Sequence, residues 1–240
     1  MSLIILFSSA IVWFSCSTHD LPDNELQMEN ETLNNQNQTT HKYLALGDSY
    51  TIGESVSEDL RFPVQLVNKL NESGIKTNKA TIIARTGWTT ENLAQGIKNS
   101  GITETFDLVT LLIGVNNQYQ GRDTTEYRIQ FRELLQTAIH FAKNTEKKVI
   151  VISIPDYSVT PFARYGDTLK IASEIDIFNK INREETELQK AYYVSITSIS
   201  RVAKVEAGLI APDGLHPSGE MYRLWVESIF PIAKLILNKQ

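Results

Sequence analysis

From residue 43 onward, apolar runs of strand length alternate with longer segments of helical period, and this alternation predicts a parallel β-sheet covered by helices on both faces. The predicted strands are Tyr43 to Leu46, Thr81 to Ala84, Leu108 to Ile113, Val149 to Ile154 and Tyr192 to Ile196. Leu-Val-Thr-Leu-Leu-Ile and Val-Ile-Val-Ile-Ser-Ile are nearly continuous rather than alternating, so both of their faces should be buried in central strands. Between the strands, Phe62, Leu66 and Leu70 share one helical face before Gly74, and Thr90 to Asn99 forms a shorter helix that Gly101 ends. Thr124 to Lys143 carries Tyr127, Phe131, Leu134, Leu135, Ile139 and Ala142 at the same spacing, and Ile171 to Lys190 follows the same rule. A last helix, Gly219 to Asn238, contains Pro231 and should kink or break there. Together these elements predict an α/β fold, a three-layer α/β/α sandwich around a five-stranded parallel sheet, with ligands bound at the carboxyl ends of the strands.

The chain before residue 43 has a different character. MSLIILFSSAIVWFS, residues 1–15, is an apolar run too short to span a bilayer comfortably and of the length of a signal-peptide core. Cys16, the only cysteine, ends that run where a bacterial lipoprotein carries its acylated cysteine, so export with lipidation at Cys16 is expected; plain secretion with a free thiol is the alternative. A single cysteine excludes an internal disulfide, and the fold must be held by its core. Residues 16–41 are rich in Asn, Gln, Glu and Thr and read as a disordered tether leading into a domain over 42–240.

Charge sharpens that division. Asp20, Asp23, Glu25, Glu29 and Glu31 lie in the tether without any Lys or Arg, and setting them aside reduces the 28 acidic residues to 23, equal to the 23 basic ones. A charge-balanced body without a basic stripe argues against nucleic acid as partner. An apolar content of 42% with 21% charged residues is that of a globular domain.

The loops after the predicted strands carry the candidate chemistry. They read Gly47-Asp-Ser-Tyr, Arg85-Thr-Gly-Trp and Gly114-Val-Asn-Asn-Gln-Tyr, and a late loop reads Asp213-Gly-Leu-His-Pro217. In order and content these blocks resemble the GDSL or SGNH hydrolases, named for a Ser, a Gly, an Asn and a His on the positions that here are Ser49, Gly87, Asn116 and His216. The resemblance runs from about 43 to 238 and implies the flavodoxin-like fold of that family and a serine esterase or lipase activity. The Gly-x-Ser-x-Gly elbow of the classical α/β-hydrolases is absent, since Thr51 stands where its second glycine would be.

Chemistry and resemblance together give the roles. Ser49 is the expected nucleophile, His216 the base that takes its proton, and Asp213 the acid that orients the imidazole. The resemblance assigns the oxyanion hole to the backbone amides of Ser49 and Gly87 and to the side-chain amide of Asn116. Asn117 is adjacent, and the residues alone leave a swap of roles open. Asp48 should shape the turn. His140, within an apolar helical stretch, reads as structural, while His19 and His41 lie in or beside the tether and should be solvated. Scattered histidines give no metal-ligand spacing, and neither a metal nor a cofactor is expected.

Tyr50, Trp88 and Tyr119 are the candidate substrate-binding side chains, with Arg122 and the loop Pro155 to Phe162 nearby. Within the resembled family, substrates range over acetylated polysaccharides, lysophospholipids, thioesters and short-chain esters. Export favours a small-acyl, acetyl-removing esterase on glycans, with a lysophospholipase as the alternative. A catalytically silent carbohydrate-binding lipoprotein and an assembly or adhesion protein are the readings from other classes.

Overall fold

The computed structural model describes residues 40–238. The expected signal segment, Cys16 and nearly all of the tether lie outside the described residues. Five parallel strands form the sheet: β1 (Tyr43–Gly47), β2 (Thr81–Ala84), β3 (Leu108–Leu112), β4 (Val149–Ile152) and β5 (Tyr192–Val194), in the order β2-β1-β3-β4-β5. In register, Gly47 of β1 stands opposite Ala84 of β2 and Leu112 of β3. The chain therefore leaves β1 and β3 in opposite directions across the sheet, and the crevice at that switch point is where such sheets bind ligands.

The helices are α1 (Ser49–Ile52), α2 (Phe62–Glu72), α3 (Thr90–Ser100), α4 (Val115–Tyr119), α5 (Thr124–Phe141), α6 (Thr168–Leu188), α7 (Thr197–Arg201) and α8 (Gly219–Leu237). α2 packs on α8, and α5 packs on both α3 and α6, giving the two helical layers. Every residue of β3 and β4 is buried, as their unbroken apolar runs require. Capping side chains begin α3, α5, α6 and α8: Thr89 accepts from the Asn92 amide, Asp123 from Thr125 and Glu126, Asp167 from Lys170 and Ser218 from Met221. A buried carboxylate clamps α5 to α6, where Glu185 accepts hydrogen bonds from Arg128 at 2.8 Å and from Arg132 at 2.7 Å. Among the described residues no helix is long and apolar enough to cross a membrane.

Four details differ from the sequence reading. β3, β4 and β5 stop before Ile113, Ile154 and Ile196, which are buried all the same. α8 runs unbroken through Pro231. That proline lies on the exposed face, so the carbonyl it frees one turn earlier can turn to water while Ile229, Ala233 and Ile236 stay buried. His140 is exposed rather than part of an apolar face. His41 is buried instead of solvated, because its backbone bridges Lys76 and Asn78 and so belongs to the folded body.

Candidate active site

β1 delivers the chain to Gly47, where any Cβ would collide with Thr51 and the Leu112 carbonyl, and this close approach lets the backbone turn at once into α1. Asp48 caps that single turn by accepting from the Tyr50 amide at 3.0 Å, and Gly53 closes it in a left-handed conformation with its N–H on the Ser49 carbonyl. Ser49 is thus the first residue of a short helix tied at both ends, 4% exposed at the carboxyl end of the sheet. Asp48 is fully buried, and burial pushes its carboxyl up to about 7 against the hydrogen bond from Tyr50. Its Oδ2 has no hydrogen-bond partner.

The late loop is folded by its own aspartate. Asp213 Oδ1 accepts from the amides of Leu215 and His216 at 2.9 and 3.0 Å, while Oδ2 lies 2.6 Å from His216 Nδ1 and accepts from Ser55 Oγ at 2.7 Å. Burial alone would raise this carboxyl, yet the hydrogen bonds from His216, Ser55 and the two amides outweigh it and hold the group well below the usual carboxylate range. An ionised Asp213 fixes the proton of His216 on Nδ1 and leaves Nε2 as the acceptor. The imidazole rests against the Tyr50 ring at 5.3 Å between centroids, and Tyr50 in turn packs on Trp225.

Ser49 and His216 line one cavity of about 170 Å³ together with Gly87 and Asn116. No hydrogen bond joins Ser49 to His216; such contacts are commonly long before substrate binds. Gly87 has φ +82° with open space around a would-be Cβ, so glycine serves the backbone conformation there. Asn116 donates through Nδ2 to the Trp88 carbonyl at 2.9 Å, which joins the loops after β2 and β3 and leaves its second N–H available. Asn117 faces away from the cavity: its amide clasps Thr90 with Oδ1 on the backbone N–H at 3.0 Å and Nδ2 on the hydroxyl at 2.7 Å. The two adjacent asparagines are thereby distinguished. Neither the Ser49 nor the Gly87 amide donates to an acceptor among the described residues.

Of the candidate substrate contacts, Tyr50 and Tyr119 line the cavity and Trp88 does not. Trp88 packs instead over Gly96 of α3, where only a glycine leaves room for the indole. Arg122 stands outside as well, on the Gln120 side chain. Val115, Tyr157, Phe162 and Leu215 complete the apolar walls. Tyr157 and Phe162 come from the loop after β4, and with Tyr119 they form a triangle of rings 6.0 to 6.3 Å apart. The sequence marked that loop as a segment without choosing the side chains. Ser55 was missed entirely; nothing local in the sequence points to a partner 158 positions away.

A parallel-sheet hydrolase fold with a serine, a histidine–aspartate pair and amide donors around one cavity defines the class. A family model described as GDSL-like lipase/acylhydrolase matches residues 45–224, and the chain belongs to that family, whose members hydrolyse carboxylic esters. No curated protein sequence matches the chain. Among solved structures, TesA is similar over 82% of this chain and 99% of its own, with 18% identity and a TM-score of 0.64. A lipase/acylhydrolase from Enterococcus faecalis has 24% identity, coverage of 83% and 96%, and a TM-score of 0.61. An acetylxylan esterase from Geobacillus stearothermophilus has 17% identity, coverage of 80% and 94%, and a TM-score of 0.60. These likenesses establish the fold.

Proposed function

We propose that the protein hydrolyses carboxylic esters through an acyl-enzyme formed on Ser49. The observation that carries this reading is the 2.6 Å contact of Asp213 with His216 Nδ1 beside a cavity that Ser49 shares with His216. Ser49 Oγ attacks the carbonyl carbon as His216 Nε2 takes its proton. That proton then passes to the departing alcohol, and a water repeats the cycle to release the acid and restore Ser49. The Ser49 and Gly87 amides and Asn116 Nδ2 stabilise the oxyanion.

The acyl group is small and the alcohol is a glycan. A cavity of about 170 Å³ with apolar walls suits a short acyl chain, and half-exposed Tyr119 and Phe162 offer ring faces at its mouth for a sugar. The likeness in fold to an acetylxylan esterase agrees with this choice. Ser49→Ala should abolish turnover of p-nitrophenyl acetate and labelling by a fluorophosphonate. Full turnover by that variant overturns the mechanism, and faster hydrolysis of lysophospholipid than of acetylated xylan overturns the substrate. The reading extends to an exported lipoprotein acylated at Cys16, and a Cys16→Ser chain that remained membrane-bound would count against it.

A further inference from the structure

A second concavity, of about 320 Å³, opens between α6 and the loop that leads from β5 into α7. It has nearly twice the volume of the catalytic cavity and shares no residue with it. Three cations, Lys180, Arg183 and Arg201, face one carboxylate, Asp176, across it. Arg201 is already engaged, with Nε on Asp156 and Nη2 on Asp176, both at 2.8 Å. Arg183 is different. Its guanidinium lies 4.8 Å over the Tyr193 ring and has no carboxylate partner among the described residues, whereas Arg128, Arg132 and Arg223 each hold a glutamate. Stacking on Tyr193 fixes the plane of the guanidinium while leaving most of its N–H donors for a ligand. Lys180 adds charge beside it, with Glu184 no nearer than 3.9 Å.

The remaining wall groups are those that recognise hydroxyls. Ser195 and Ser198 are exposed at the edge of the concavity, and Asp176, bound to Arg201 through Oδ1, keeps lone pairs for further donors. We propose that this concavity binds an acidic sugar, its anionic group on Arg183 and Lys180 and its hydroxyls on Ser195, Ser198 and Asp176. A bare inorganic anion would leave Asp176 and most of the volume unmatched. A neutral sugar would leave the oriented guanidinium unmatched.

The test titrates the folded protein with glucuronate, glucose and inorganic phosphate at matched ionic strength, following binding by calorimetry or amide chemical shifts. Saturable glucuronate binding is expected, about tenfold tighter than either control. Arg183→Gln should weaken it by about tenfold while p-nitrophenyl acetate turnover stays unchanged. Ser198→Trp, which fills the concavity while leaving all three cations in the chain, should block it and provides an independent variant. The proposal is overturned by absent saturation, by phosphate or glucose binding as tightly as glucuronate, or by unchanged affinity in both variants. Since the catalytic cavity is untouched, any of those results leaves the ester hydrolase reading standing.

Discussion

Two histidine–aspartate pairs stand at opposite ends of the same sheet, and only one is built to move a proton. At the carboxyl end, His216 Nδ1 meets Asp213 at 2.6 Å, the carboxylate is fixed by Ser55 and two backbone amides, and the imidazole lines a cavity. At the amino end, His41 Nδ1 lies 3.9 Å from Asp107, beyond hydrogen bonding, and is buried with no hydrogen-bond partner. Asp107 there accepts from the Lys42 amide at 3.0 Å and from Lys143 at 2.6 Å, tying the starts of β1 and β3 to the end of α5. The residue types are the same. What differs is whether the carboxylate is held for the imidazole and whether the far ring nitrogen faces a substrate site.

The largest expected effect follows directly. His216→Ala should lower kcat/KM for p-nitrophenyl acetate by roughly 10² to 10⁴-fold, the usual contribution of a general base, with the fold intact by circular dichroism. His41→Ala should leave kcat/KM unchanged and lower the melting temperature. Equal losses of activity in the two variants would remove the distinction drawn here.

The adjacent asparagines sharpen the same contrast within one loop. Asn116→Ala removes the proposed oxyanion donor and should lower kcat by roughly 10² to 10³-fold, about 2.7 to 4 kcal/mol, with little change in stability. Asn117→Ala leaves the buried Thr90 amide without its acceptor and should cost about 1 to 3 kcal/mol of stability. Denaturant midpoints and kcat measured on both variants check this, and a large kcat loss in Asn117→Ala with native stability would reverse the assignment.

How far the sequence could see is set by what kind of information each feature needs. The centrality of β3 and β4 was legible because burial on both faces writes itself as an unbroken apolar run. Strand ends were not, since apolarity reports burial rather than the backbone's partner. Ile154 is buried like a strand residue, but its N–H and carbonyl are taken by the Asn179 side chain; Ile196 gives its N–H to Ser153 Oγ. Ser49, Gly87, Asn116 and His216 were legible because each sits in a short block following a strand or in the Asp213 loop. Ser55, the walls from Tyr157 and Phe162, and the burial of His41 depend on contacts between distant segments. Trp88 could not be assigned from its immediate neighbours, because the glycine that receives its ring lies eight positions on, within α3.

Asp48 extends the contrast to a carboxylate whose burial outweighs its hydrogen bonds. Its value of about 7 in the fold exceeds the ordinary 3.8, so the folded state keeps a proton that the unfolded chain releases. Stability therefore falls as pH rises from about 4 to about 7 and levels off above, with a limit of roughly 4 kcal/mol. Asp48→Asn retains the acceptor for the Tyr50 amide and should flatten that slope, gaining roughly 4 kcal/mol on the parent at pH about 8 relative to pH about 4. Urea unfolding at both values decides it; parallel profiles for parent and variant would mean that Asp48 is ionised in the fold.

The smallest effect belongs to His41 itself. Burial lowers its pKa, helped by Lys148 and Lys143 and opposed by Asp107. A histidine depressed in the fold takes up its proton more readily in the unfolded chain, so its contribution is complete above the ordinary value of 6.5 and is lost as pH falls through the folded value. His41→Gln removes the titration and should make stability less sensitive to acid over that window, while the pH dependence of kcat/KM should match that of the parent. That separation is the point of the measurement. If the imidazole at the amino end serves packing alone, its titration appears in unfolding curves and not in turnover, and a shifted activity profile in His41→Gln would show the two ends of the sheet to be coupled.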